Sequence, residues 1–223
     1  MKTLNKALVI AWKDIISEFR TKEIISSVIV FAILVIVIFN FAFSGSQQTM
    51  VSLTPGMLWV TFAFAGVLSL NRAFIQEKED NCLEGLMVCP VSRETIYLGK
   101  MLGSLFFMLL VEVVVLPVFA LLFNVNVISL PLIIITILAT LGFVTIGTLF
   151  SALAVNTKAR EMVLPILFFP IVSPVIISAV SASGRVLGGE SWGDIYSWLG
   201  IIAAFDIIFL VVAYLVFSVV IDE

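Results

Sequence analysis

The chain has 223 residues, of which 61% are hydrophobic and 12% charged, and its formal net charge is −3. With a mean hydropathy of +1.22, it cannot cover a water-exposed surface with polar side chains, which excludes a soluble globular protein. The composition therefore predicts an integral membrane protein, with membrane lipid as its surroundings and no nucleic acid as a partner.

Residues 3–20 predict a helix with one apolar face. Apolar side chains recur there at offsets of three and four, as on one side of a helix. They are Leu4, Leu8, Ala11, Ile15 and Phe19. Most charged side chains of the segment lie off this face. We predict an amphipathic helix along the membrane interface, which either anchors the first span or grips a partner.

The apolar runs that follow divide into six spans. No ionisable side chain lies between Glu23 and Arg72, a run that as one helix would extend ~70 Å, more than twice the hydrocarbon core. Turn residues at 44–56 divide it, and residues 124–131 divide the next long run in the same way. We predict one all-α membrane domain over 1–223, with spans at 24–43, 56–75, 101–123, 130–154, 162–183 and 196–221.

The basic residues predict the orientation. Eleven of the twelve Lys and Arg residues lie in the amino-terminal segment and in the second-to-third and fourth-to-fifth connections, and only Arg185 lies on the other side. Because basic residues resist translocation, both termini are predicted to be cytoplasmic.

The connection between the second and third spans, residues 72–100, is rich in charge. Its acidic residues include Glu77, Glu79 and Glu84, and Arg93 follows. An apolar edge formed by Leu83, Leu86 and Met87 accompanies them. A solvated loop would explain the charges alone, whereas the apolar edge favours docking into the groove of a partner.

Two acidic residues are predicted to lie inside spans. Glu112 is twelve residues beyond Lys100, and Asp206 is twelve beyond Asp194, which places each ~18 Å deep, near the midplane of the bilayer. A charge at this depth is costly and by default indicates function, although a protonated carboxyl that stabilises helix packing is the alternative.

The fifth span contains Pro165, Pro170 and Pro174. Each proline removes a backbone donor and tends to kink a helix. We therefore interpret the three as candidate kinks of a gate, with helix packing as the alternative.

Catalytic motifs are missing from the sequence. The chain has no histidine, so it can supply no imidazole to a metal, a haem iron or a proton transfer. Gly99-Lys100 lacks the flanking residues of a phosphate-binding loop, and Cys82 and Cys89 have neither the spacing nor the companions of a zinc site. We predict a non-catalytic chain with no metal or cofactor site of its own and leave the role of the two thiols open.

Four stretches resemble one family of membrane proteins. These are WKDIISEFRTKE (12–23), PGMLWVTFAFAGVLSLNRAF (55–74), QEKEDNCLEGLMVCPVSRETIYLGK (76–100) and LPILFFPIVSPVIIS (164–178). They resemble CcmB, the haem exporter protein B family, which is the ABC-type permease subunit of the cytochrome c maturation system in the bacterial inner membrane. Cys89 departs from the pattern, since a small apolar residue is expected before the Pro-Val pair.

The resemblance implies a set of partners. A permease of this kind works as a homodimer with a separate ABC ATPase subunit, haem-handling membrane subunits and a periplasmic haem chaperone, with haem as cargo of the complex. Glu77, Glu79, Glu84 and Arg93 would then couple the ATPase to the spans. Two alternatives stay open: an ABC exporter permease for a drug, lipid or glycan, and a proton-coupled transporter or membrane scaffold without an ATPase.

Overall fold

The computed structural model describes residues 2–43, 45–79, 91–155 and 160–220, with side chains over 3–43, 45–71, 91–154 and 166–217. These ranges form seven helices. They are α1 (Lys2–Thr21), α2 (Glu23–Ala42), α3 (Gln47–Glu79), α4 (Arg93–Phe123), α5 (Leu130–Val155), α6 (Arg160–Leu187) and α7 (Trp192–Val220).

Six of these helices, α2 to α7, are long and apolar enough to cross a membrane. The prediction of an all-α integral membrane fold with six spans is confirmed. Helix α5 is the most deeply buried of the six and packs against α3, α4, α6 and α7. Helices α2 and α7 are the least buried, and their apolar outer surfaces suit contact with lipid.

Successive spans alternate in direction, so the bundle has two ends. Tyr97 near the start of α4 packs against Phe217 near the end of α7, with ring centroids 5.1 Å apart. This end, where α1 lies, is called the amino-terminal face. At the opposite face, Asn40 Nδ2 donates to the Leu122 carbonyl at 3.0 Å, and Gln47 Nε2 donates to the Asn124 carbonyl at 2.7 Å.

The structure corrects the first predicted break. Residues 44–56 were predicted as a turn region, but α3 begins at Gln47 and contains Pro55. Ser46 Oγ accepts a hydrogen bond from the Thr49 amide at 3.3 Å and so caps the earlier helix start. A proline in a spanning helix removes one donor without ending the helix, because packed neighbours hold the segment in place.

The fifth span is one continuous helix, α6, despite its prolines. Pro174 has no amide hydrogen to donate to the Pro170 carbonyl, which is the normal partner four residues earlier. Ser173 Oγ donates to that carbonyl instead, at 2.8 Å. The side chain therefore satisfies a backbone acceptor that the proline would otherwise leave without a donor in the hydrocarbon.

Candidate functional site

Helix α1 packs on the first turns of α4 through small residues. Ala7 and Ala11 are buried there and face Gly99 and Gly103 of α4. A Cβ on Gly99 would lie 2.7 Å from Ile10 Cβ and 2.9 Å from the Ala7 carbonyl oxygen. Paired small residues four apart let two helices approach this closely.

The packed face of α1 differs from the predicted apolar stripe. Leu4, Leu8 and Phe19 are exposed, although the ring of Phe19 meets the edge of Phe106 of α4, and Ala11 alone of the stripe is buried. The interfacial position predicted for this helix remains a prediction, and the exposed stripe gives it an apolar surface that suits lipid.

An ion pair lies at the same junction. Lys100 Nζ of α4 is 2.9 Å from Asp14 Oδ2 of α1, and the lysine side chain is only 3% exposed. Asp14 also lies 3.2 Å from the exposed Lys13. Since a charge this deeply buried needs an opposite charge, the pair fixes the register of α1 on α4.

Glu18 links α1 to the first span. Its buried Oε1 accepts hydrogen bonds from the amides of Ile24 at 2.8 Å and Ile25 at 2.9 Å. These are among the first amides of α2, which have no partner within their own helix. Lys22, between the two helices, has a left-handed backbone conformation with φ at 57°. The chain therefore turns sharply at Lys22, and the first turn of α2 lies next to the Glu18 carboxylate.

The predicted coupling residues fall at the edges of the described ranges. Arg93 is the first residue of α4 and is half-buried, with Ser92 as the N-cap. Glu77 and Glu79 lie in the last turn of α3, where the backbone alone is described. Glu84, together with Cys82 and Cys89, lies outside the described residues.

Glu112 lies deep between α4 and α5. Its side chain is 2% exposed, and Thr140 of α5 donates a hydrogen bond to its Oε1. Its Oε2 has no partner among the described residues, and neither has the buried hydroxyl of Thr136, one turn before Thr140. Each of these residues thus buries one polar atom without a hydrogen bond, which is uncommon in folded proteins.

An apolar cleft of about 410 Å³ lies beside these two residues. Glu112 and Thr136 are its polar residues, and all other lining side chains are aliphatic. The lining consists of Leu109, Glu112, Val113, Leu116, Pro117, Ile128, Ile133, Thr136 and Ile137. Val113 and Ile137 are 70% and 47% exposed, so the cleft opens on the outer surface of the bundle.

Asp206 lies on the other side of α5. It is 4% exposed, and neither carboxyl oxygen has a partner among the described residues. It packs against Gly142 so closely that a Cβ there would overlap Oδ1. Thr140 and Gly142 are two positions apart on α5, about 200° around the helix, so the helix separates Asp206 from Glu112.

The structure describes side chains around two of the three candidate kinks, and no cluster of polar groups occurs among those side chains. Pro170 and Pro174 are exposed on the outer surface of α6, and the side chain of Pro165 is outside the described set. The role of the three as a gate therefore stays a prediction.

Both buried acids could be identified from the sequence, but their surroundings could not. Thr136 and Thr140, four apart on α5, are ordinary residues of an apolar helix and gave no signal before α4 was placed beside them. The Gly99-to-Gly103 spacing, by contrast, is the small-residue motif of close helix pairs and was available in the sequence.

Comparison with known proteins gives one consistent result. The family model described as CcmB protein matches residues 5–222. A protein named "Heme exporter protein B" from Pseudomonas aeruginosa is 28% identical over 187 residues, 83% of this chain and 84% of the relative. The protein of the same name from Bradyrhizobium diazoefficiens is 28% identical over 186 residues, 82% of each. The Escherichia coli protein of that name is 29% identical over 85 residues, 38% of this chain and 39% of the relative.

Proposed function

Because the chain belongs to the CcmB family, we propose that it is the permease subunit of an ABC complex that handles or exports haem during cytochrome c maturation. The observation that carries this proposal is the family match over nearly the whole length, which includes the charged segment as well as the spans. We propose haem as the cargo because the relatives are named "Heme exporter protein B". ATP hydrolysis resides in a separate ATPase subunit, and this chain is not an enzyme.

Residues 72–100 form the coupling element in this proposal. Glu77, Glu79, Glu84 and Arg93 meet the ATPase at the cytoplasmic surface. Support comes from the position of Arg93 at the start of α4, two turns before Lys100 and its ion pair with α1. A displacement of the segment would move α4, and with it α1 and the start of α2.

The membrane, the orientation and the other subunits of the complex follow from the same assignment. The chain lies in the bacterial inner membrane with both termini cytoplasmic, which the eleven basic residues on one side support. It works as a homodimer beside haem-handling membrane subunits, and the complex passes haem to, or releases, a periplasmic haem chaperone. The three prolines of α6 form part of the gate.

Affinity purification from detergent-solubilised membranes tests the proposal. The native chain is compared with the double variant Glu77→Lys/Glu84→Lys, and Glu190→Lys on the opposite face is the matched control. Partners are identified by mass spectrometry, and bound haem by absorbance. We expect the native chain and the control to recover an ATPase with haem proteins, and the double variant to lose the ATPase alone.

Two other results of this purification would favour the alternative functions. An ATPase recovered without any haem protein would indicate an exporter of another substrate. Failure to recover an ATPase, under conditions that preserve ABC assemblies, would overturn the permease assignment and favour a proton-coupled transporter or a scaffold.

A further inference from the structure

We propose that α1 binds anionic phospholipids through a row of three basic side chains that lies beside its exposed apolar side. The row consists of Lys6, Lys13 and Arg20. This inference goes beyond the proposed haem function and does not depend on it. It rests on the distribution of side chains around α1, on the burial of its two acidic residues and on the part of α4 that α1 contacts.

Helix α1 has three faces, of which one packs on the bundle. Consecutive residues of a helix are about 100° apart, so Ala11, Trp12 and Lys13 each lie on a different face. Ala11 is buried against α4, whereas Trp12 and Lys13 are exposed. Leu8 and Ile16 are exposed as well and share the face of Trp12, since they lie four residues before and after it. The surface that α1 leaves exposed is thus divided into an apolar side and a basic side.

The basic side is a single row of long side chains. Lys6, Lys13 and Arg20 follow one another at intervals of seven residues, which is nearly two full turns of a helix. All three are exposed. The row extends ~21 Å along the helix. Long basic side chains can hold their charged groups at the level of lipid headgroups while the apolar side of the helix lies against the acyl chains.

The two acidic residues of α1 are held within the protein. Asp14 pairs with the buried Lys100 at 2.9 Å, and the buried Glu18 accepts hydrogen bonds from the first amides of α2. Lys13 also lies 3.2 Å from Asp14, but this carboxylate carries one charge, which Lys100 already balances. The exposed charge of α1 is therefore positive, and it attracts anionic headgroups.

The contact with α4 supports a position of α1 at the level of the headgroups. Helix α1 meets α4 from Gly99 to Phe106, whose ring contacts that of Phe19. Lys100 lies in this stretch and is the last charged residue before Glu112, so the charged end of α4 gives way to its apolar span here. An anionic phospholipid fits both exposed sides of α1, with its acyl chains against the apolar side and its headgroup against the basic row.

Quenching of Trp12 fluorescence by brominated lipids tests the proposal in the reconstituted full-length chain. The vesicles contain equal parts of phosphatidylglycerol, which is anionic, and phosphatidylcholine, which has no net charge. Bromine atoms near the top of an acyl chain are carried by one lipid or by the other. The signal of Trp12 is the difference between the chain and its Trp12→Phe variant. Since the lipid composition stays constant, the ratio of the two quenching values reports which lipid lies next to α1.

We expect phosphatidylglycerol to be preferred about fivefold beside Trp12, which is roughly the effect of one basic residue near an anionic surface. Salt at ~1 M should bring the preference towards one, because charges are then screened beyond about 3 Å.

Two triple variants separate the charge of the row from its packing. Lys6→Gln/Lys13→Gln/Arg20→Gln removes the charges and should bring the preference close to one. Lys6→Arg/Lys13→Arg/Arg20→Lys keeps the charges and, as the matched control, should retain the native preference. Arg185→Gln, which removes an exposed basic residue at the opposite face, should retain it too. Vesicles in which both lipids carry bromine should quench Trp12 equally in all of these variants, because α1 still lies on the bilayer.

Four results would overturn the proposal. Equal quenching by the two brominated lipids in the native chain would mean that α1 does not select anionic lipid. A preference that persists in the glutamine variant would come from other basic residues. A preference lost in the charge-preserving variant would show that positive charge is not what the lipid recognises. If neither brominated lipid quenches Trp12, the apolar side of α1 contacts protein and not lipid.

Discussion

Buried charge is arranged differently at the amino-terminal face and in the middle of the spans. Lys100 and Asp14 form an ion pair of 2.9 Å across α1 and α4. Glu112 and Asp206 are buried as deeply but have no cation partner among the described residues. A buried ion pair can serve structure, whereas a buried carboxyl whose oxygens lack partners lowers stability and indicates a role other than packing. Substitutions at the two regions should therefore have opposite effects on stability.

The largest expected effect is at the ion pair. Asp14→Leu should lower the free energy of unfolding by about 3 kcal/mol, because it removes the carboxylate beside a buried ammonium. Unfolding in mixed detergent–SDS micelles can be followed by the fluorescence of the four tryptophans. Lys13→Met, which removes the exposed partner of Asp14, should cost less than about 1 kcal/mol. Equal losses of unfolding free energy in the two variants would show that the buried Lys100–Asp14 pair contributes no more stability than the exposed Lys13–Asp14 pair.

A second effect concerns the close contact that places this pair. Gly99→Ala should cost about 2 kcal/mol, because the added methyl group would meet Ile10 and the α1 backbone and push the helices apart. The matched control is Gly200→Ala on α7, where a Cβ meets nothing within 4 Å. That change should stabilise the protein by up to about 1 kcal/mol through helix propensity. Similar results at both glycines would contradict close packing of α1 on α4.

These two regions also show what could be predicted from the sequence. Apolar runs without charge require spans, so the number of spans and the position of Glu112 and Asp206 in the middle of their helices followed from the lengths of these runs. The ion pair did not, because Asp14 and Lys100 are 86 positions apart and pairing depends on which face of α1 packs. The apolar stripe did not indicate the packed face, since in a membrane protein the apolar side can face lipid while small residues face the protein.

The third prediction also replaces a buried aspartate by leucine, but the expected change in the free energy of unfolding does not have the sign of the first. Asp206→Leu should leave the free energy of unfolding unchanged or raise it by about 1 kcal/mol, because leucine has a similar shape and removes two carboxyl oxygens that lack partners. The measurement is the same unfolding titration, with Asp14→Leu as the comparison. A loss of 2 kcal/mol or more, roughly the cost of a buried hydrogen bond to a charged group, would show that Asp206 has a partner in the assembled membrane protein.

The smallest expected effect concerns a backbone carbonyl in a span rather than a charged side chain. Ser173→Ala should cost about 0.6 kcal/mol, the typical value of one polar contact within a membrane protein, because the Pro170 carbonyl loses the hydroxyl that replaces the missing amide of Pro174. Ser181→Ala on the same helix removes a hydroxyl for which no hydrogen bond occurs among the described residues and should be neutral or slightly stabilising. If Ser173→Ala is also neutral, the carbonyl of Pro170 obtains its donor elsewhere, and the continuity of α6 through its prolines depends on packing alone.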